Sequence, residues 1–216
     1  ESWIKDNYLT PTADTIDAII IAAGHASNKI LANVIDMAAY TASAINCLGP
    51  DCQIKGNRIV GTGTGAGTIG IELQGTADRT CVDGNQIAMT GTDVDGITVA
   101  DGCAYAQILN NTLIFTGVTT SMGILCAAVD CKIAGNIIDV AGTDYAISLA
   151  ATALRNMVCD NKITSAGGAA AQRGRGPAGG GRRLARGAPA PARRDRSPQG
   201  AAAATARVAP RSPARP

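Results

Sequence analysis

The stretch TGTDVDGITVADG (90–102) puts three carboxylates, Asp93, Asp95 and Asp101, into one short segment, and Asp139 and Asp144 follow further along. Two carboxyl groups held at a set separation cleave glycosidic bonds, one as acid and the other as base or nucleophile. Several together hold calcium. Asp93, Asp95 and Asp101 are therefore the candidate catalytic residues. Two features weigh against them. Turns favour aspartate because its side chain bonds its own backbone, and no Lys or Arg stands beside Asp93 or Asp95 to serve as the base of a lyase. Calcium loops of the glycine-rich nonapeptide and helix-flanked kinds are absent.

The other reactive side chains say less. His25, in AAGHAS, is the single imidazole; with no nucleophile motif around it, it reads as a turn or surface residue. GTGTGAG (61–67) lacks both the dinucleotide-binding spacing and the Lys-Ser/Thr of a phosphate loop, so it reads as an inter-strand loop. The seven cysteines include no C-x-x-C pair, which together with the lone histidine argues against zinc. No metal and no cofactor is expected.

What must position these residues is a repeat. SNKILANVI (27–35), DCQIKGNRI (51–59), TCVDGNQIA (80–88), AQILNNTLI (106–114), CKIAGNIID (131–139) and NMVCDNKIT (156–164) share a β-branched residue, two positions, Asn, one position, then Ile or Leu. The shared residues Asn33, Asn57, Asn85, Asn111, Asn136 and Asn161 are 24 to 28 apart. Between them recurs a second motif: AIII (18–21), AINC (44–47), GIEL (70–73), GITV (96–99), GILC (123–126) and AISL (146–149). Both halves alternate with period two, as strands with one buried face do.

A repeat of this length with strands and no helical segment predicts one coil of a parallel β-helix, each coil stacking about 4.8 Å from the last. Equivalent residues then lie over one another. The Asn is expected in a left-handed turn, its amide bonding the amides above and below, with the small residue before it easing the corner. Thr62, Thr90 and Thr116, five residues past their Asn, should form a second file. A leucine-rich repeat is the main competitor, but its leucine slot five before the Asn holds Cys52, Thr80, Ala106, Cys131 and Asn156.

On these motifs residues 27–164, roughly two thirds of the chain, resemble the right-handed parallel β-helix repeat shared by pectate-lyase-like carbohydrate enzymes and many bacteriophage tail-spike and appendage proteins. The resemblance implies an all-β fold: a single-stranded right-handed parallel β-helix of about six coils, with a low-complexity C-terminal tail. It places a lead-in or cap at 1–16, the β-helix at 17–166 and the tail at 167–216. It also implies a phage virion protein, a tail spike, fibre or capsid-decorating rod made in the bacterial cytoplasm. Its partners would be other virion subunits, itself as a homo-oligomer with a trimer favoured, and host surface polysaccharide. The alternative is an extracellular polysaccharide lyase, glycoside hydrolase or depolymerase. Within 27–164 only Tyr40, Tyr105, Phe115 and Tyr145 could stack on sugars, which favours the rod.

In this frame Cys47 and Cys126 share an inward slot with Ile21, Leu73, Val99 and Leu149, while Cys52 and Cys131 share another. They read as small core residues with free thiols, consistent with a reducing cytosol. Three coils separate Cys47 from Cys126, too far to bridge. Cys47 with Cys52, and Cys126 with Cys131, could each close a small loop.

Charge splits the chain. Residues 1–166 carry eight Lys/Arg against sixteen Asp/Glu, and 167–216 carry eleven Arg against Asp195 alone. The tail lacks Ile, Lys, Asn, Phe and Tyr together, the residues with AT-rich codons, as an out-of-frame extension of a GC-rich gene would. A flexible linker and a nucleic-acid-binding arm are the other readings. DAIIIAAG (17–24) is too short to span a bilayer, and Asp14 and Asp17 precede it where a signal peptide carries positive charge, so no membrane is expected.

Overall fold

The computed structural model describes residues 1–11, 16–38, 41–62, 67–116, 121–141, 145–165 and 171–173. Each coil contributes three short strands. The first coil holds β1 (Trp3–Lys5), β2 (Tyr8–Leu9) and β3 (Ile19–Ile21), and the second β4 (Lys29–Leu31), β5 (Val34–Asp36) and β6 (Ser43–Cys47). The third holds β7 (Gln53–Lys55), β8 (Arg58–Gly61) and β9 (Thr68–Leu73), and the fourth β10 (Cys81–Asp83), β11 (Gln86–Thr90) and β12 (Val94–Val99). Then come β13 (Gln107–Leu109), β14 (Thr112–Thr116) and β15 (Met122–Cys126), followed by β16 (Lys132–Ala134), β17 (Ile137–Val140) and β18 (Tyr145–Leu149). β19 (Met157–Cys159), β20 (Lys162–Ser165) and β21 (Ala171–Arg173) complete the stack.

Every third strand pairs in parallel. The first sheet runs β1-β4-β7-β10-β13-β16-β19, the second β2-β5-β8-β11-β14-β17-β20 and the third β3-β6-β9-β12-β15-β18-β21. The protein is thus an all-β parallel solenoid of about six turns, and six inter-strand steps make a stack about 29 Å long. No helix occurs among the described residues, which removes the leucine-rich alternative. SWIKDNYLT (2–10) carries the repeat pattern too and supplies β1 and β2, a copy that the six-fold alignment misses. Ala171–Arg173, in the Arg-rich tail, supplies β21. The rest of that tail, Tyr40, Asp144 and the centre of the GTGTGAG loop lie outside the described residues.

Like side chains stack on one another in the core. Ile30, Ile54, Val82, Ile108 and Ile133 form one buried file, and Ile45, Ile71, Ile97, Ile124 and Ile147 another. Such an interior is narrow, which is why Phe115, 3% exposed, is the sole aromatic among the buried core residues. At Gly96 a Cβ would meet Gly123 O at 2.5 Å and Phe115 Cζ at 2.8 Å. This crowding explains the Gly or Ala that opens the second sequence motif.

The corner between the first and second sheets is two residues long in every coil, and there the structure corrects the expected backbone. The left-handed residue is the one before each ladder Asn: Asp6, Ala32, Gly56, Gly84, Asn110, Gly135 and Asp160, with φ between 52° and 69°. The Asn itself is not left-handed. Its amide bonds need a backbone that already points inward, so the turn is made one residue earlier.

Candidate functional site

Asp93 and Asp95 are neighbours two residues apart, about 7 Å along an extended chain, and Asp101 stands away from both. Asp93 is exposed in a bend at φ 54°, a left-handed position that Asp tolerates well. Asp95 lies on the outer face of the third sheet, where its Oδ1 accepts the Met122 N–H at 3.0 Å. Asp101 is exposed in the turn beyond the far end of β12, six residues along the chain from Asp95. Asp139 faces solvent from the second sheet.

The outer face of the third sheet carries a polar network with no sequence motif to announce it. Asp17 accepts the Ser43 N–H at 2.8 Å and the Asn46 side-chain amide at 2.9 Å, and the Ser43 hydroxyl donates to Glu72 at 2.7 Å. Three coils are tied together in this way. No group of three or more His, Cys, Asp or Glu that could hold a metal occurs among the described residues. On the second sheet a shallow groove of about 330 Å³ is lined by Arg58, Val60, Gln86, Ala88, Thr112 and Ile114. The Thr62 hydroxyl donates to Ala38 O at 2.8 Å and Thr90 pairs with Thr116 in register, so this file also bonds coil to coil.

The most developed constellation is the amide file. Asn7, Asn33, Asn57, Asn85, Asn111 and Asn136 each donate both their backbone N–H and their side-chain Nδ2 to the Oδ1 of the next Asn, ending at Asn161, at 2.9–3.1 Å. From Asn33 onward Nδ2 also donates backward to a carbonyl of the preceding coil, as Asn111 does to Val82 O at 3.0 Å. Asn33, Asn85, Asn111 and Asn136 are fully buried. Each amide thus spans three coils and satisfies backbone groups that water cannot reach.

Charges repeat along the corner between the third and first sheets. Arg79 makes a bidentate pair with Asp51 at 2.6 and 2.7 Å, and three coils on Arg155 does the same with Asp130. The guanidinium holds each carboxyl below its ordinary range. At the first coil Lys29 pairs with Glu1 and lies 4.4 Å over the Trp3 ring. Trp3 and Tyr8 are 55% and 70% exposed. His25 is an exposed turn residue whose carbonyl accepts the Asn28 amide at 2.9 Å.

All seven cysteines are free. Burial pushes Cys103 up to about 11 and raises Cys81. Cys47, Cys52, Cys126 and Cys131 are buried. The slot that Cys52 and Cys131 occupy, held by Asn28 and Asn156 in other coils, also serves the backbone. Asn28 and Asn156 accept the N–H of Ser2 and Cys131 through Oδ1, at 3.0 and 2.7 Å. The thiols of Cys52 and Cys131 donate to Pro50 O and Val129 O at 3.5 and 3.4 Å.

Comparison with protein-family models, curated proteins and solved structures finds no match to this chain. Its class rests on the coordinates alone: a parallel β-solenoid whose polar side chains are chiefly engaged in bonding one coil to the next.

Proposed function

We propose that the protein is a structural rod of the virion-appendage kind, a stiff stack that displays side-chain files for attachment to a host surface. One observation carries this reading. The side chains that could do chemistry are engaged in joining coils, Asp95 to Met122 N–H and Asp17 to Ser43 and Asn46, while Asp93 and Asp101 stand at opposite ends of β12. Glycoside cleavage needs two carboxyl groups within about 5–10 Å; of the three candidates only Asp93 and Asp95, two residues apart, are that near, and the Asp95 carboxylate is held by the Met122 N–H. The resemblance to phage appendage repeats and the scarcity of aromatic side chains support the same reading, and self-association as a trimer belongs to it.

The test pairs two assays on the full chain. Incubation with neutral and acidic polysaccharides, host capsule among them, should release no reducing ends and no unsaturated products. Fluorescently labelled protein should bind host cells and sediment as an oligomer. Depolymerisation that is lost in the double variant Asp93→Asn, Asp95→Asn would replace this reading with the enzyme.

A further inference from the structure

Two files face each other across the corner between the third and first sheets. One holds Ile21, Cys47, Leu73, Val99, Cys126 and Leu149; the other holds Asn28, Cys52, Thr80, Ala106, Cys131 and Asn156. Cysteine enters both files in the same two coils and neither file in the other four. Those two coils also have the short corners. Four residues, LGPD (48–51) and AAVD (127–130), separate the facing positions there, against six elsewhere. The six-residue corners each close a turn, with Ala77 N–H to Gln74 O at 3.1 Å and Ala153 N–H to Ala150 O at 3.1 Å. Shortening the corner leaves both thiols of each pair buried and turned onto the same four residues: Cys47 and Cys52 donate to Gly49 O and Pro50 O at 3.4 and 3.5 Å, and Cys126 and Cys131 to Ala128 O and Val129 O at 3.8 and 3.4 Å.

Packing does not explain the pairing. Hydrocarbon side chains fill the first file in the other coils, and Asn or Thr meets the polar needs of the second without sulfur. We propose that Cys47 with Cys52, and Cys126 with Cys131, are oxidisable dithiols, each closing to a disulfide within its own coil and pinning the short corner. This holds whatever the rod is attached to.

A peroxide is a sufficient oxidant and small enough to reach a corner. The Cys52 thiolate attacks one peroxide oxygen, giving a sulfenic acid and hydroxide. The Cys47 sulfur then attacks the Cys52 sulfur, the S–S bond forms, and the sulfenic hydroxyl leaves as water with the Cys47 proton. Two thiols are oxidised and one peroxide is reduced to two waters. The roles follow the environment. The neighbouring Cys47 draws the Cys52 thiol down to about 7, with help from the Asn28 backbone against the opposing effect of burial. Cys47 is pushed up, first by the neighbouring Cys52 and then by burial. Cys131 and Cys126 repeat this division.

The experiment treats the folded full-length protein with hydrogen peroxide, alkylates the remaining thiols in denaturant and maps the peptides by mass. Four of the seven thiols should escape alkylation, in bridges linking Cys47 to Cys52 and Cys126 to Cys131, and dithiothreitol should restore all seven. Cys52→Thr should abolish the first bridge alone and Cys131→Thr the second alone; Thr already serves in that file at Thr80. The oxidised protein should melt several degrees above the reduced one. Bridges that join different coils, or full alkylation of these four cysteines after treatment, would overturn the proposal. Should a variant fail to fold, the wild-type peptide map decides by itself.

Discussion

Replacing Asn111 by Ala should be among the most damaging single changes in the solenoid, and its cost can be worked out bond by bond. The side chain takes part in four hydrogen bonds: Oδ1 accepts from Asn85 N and Asn85 Nδ2 at 2.9 and 3.0 Å, and Nδ2 donates to Val82 O and Asn136 Oδ1 at 3.0 Å. Asn85 Nδ2 keeps Ile54 O, and Asn136 Oδ1 keeps the Asn111 N–H, so neither is orphaned. Asn85 N–H and Val82 C=O lose these side-chain partners in a fully buried place. Val82 C=O keeps the Leu109 N–H of the strand ladder, so at about 1–3 kcal/mol for the buried Asn85 N–H left unmade and about 1 kcal/mol for the second bond to Val82, the loss is about 2–4 kcal/mol. This is a large share of the roughly 5–15 kcal/mol that holds a domain together. At roughly 2–4 °C per kcal/mol for a chain of this size, the melting temperature should fall by on the order of 10 °C. Asn7→Ala supplies the contrast. Asn7 is exposed, and removing its amide leaves Asn33 Oδ1 still holding the Asn7 N–H, so the cost should stay below about 1 kcal/mol. Urea titration of both variants, followed by circular dichroism, reads the difference. Equal midpoints would show that the amide file contributes nothing beyond its location, and the coil-to-coil accounting would be wrong.

Gly96→Ala should cost about 1–3 kcal/mol in the same titration, because the new methyl meets the Gly123 carbonyl, which belongs to a packed strand and cannot swing aside. Asp95→Asn should leave stability within about 0.5 kcal/mol, since the amide oxygen can still accept the Met122 N–H, whereas Asp95→Ala should cost about 1 kcal/mol. Arg79 lowers the Asp51 carboxyl, so the stabilisation from this pair is complete above the ordinary carboxylate value near about pH 4 and is lost as pH falls through the lowered folded value. In Arg79→Met the Asp51 titration, followed by carboxyl NMR shifts, should move up into the ordinary range and the acid-side loss of stability should flatten.

The sequence makes some parts of this molecule legible because they repeat. The Asn positions and the inward Ile files recur with their neighbours, so the alternation of each copy reinforces the others. The first copy, SWIKDNYLT (2–10), is just as regular but stands beyond a long gap before β3, and an alignment begun at residue 27 leaves it out. Backbone handedness was less accessible. Gly precedes Asn in only three of the seven corners, and Asp6, Ala32, Asn110 and Asp160 adopt the same left-handed state under pressure from the coil above and below. The polar network of Asp17, Ser43, Asn46 and Glu72 leaves no trace along the chain. Its bonded partners are 26 or more residues apart and different in type, and only the stacking makes them neighbours.

The spread of Asn spacings from 24 to 28 follows from where a solenoid can absorb length. The corner between the first and second sheets never varies: one left-handed residue and one Asn, seven times over. An amide that must reach both neighbours at 2.9–3.1 Å tolerates no inserted residue there, because a shift by one would turn it from the core to the surface. The corner between the third and first sheets has no such file to keep in step, so it exists in four-residue and six-residue forms. The short form carries a buried cysteine at each of its two strand ends. Constancy at one corner and licence at another are therefore two results of a single rule, that a residue in a coil stack answers chiefly to the residue one turn away.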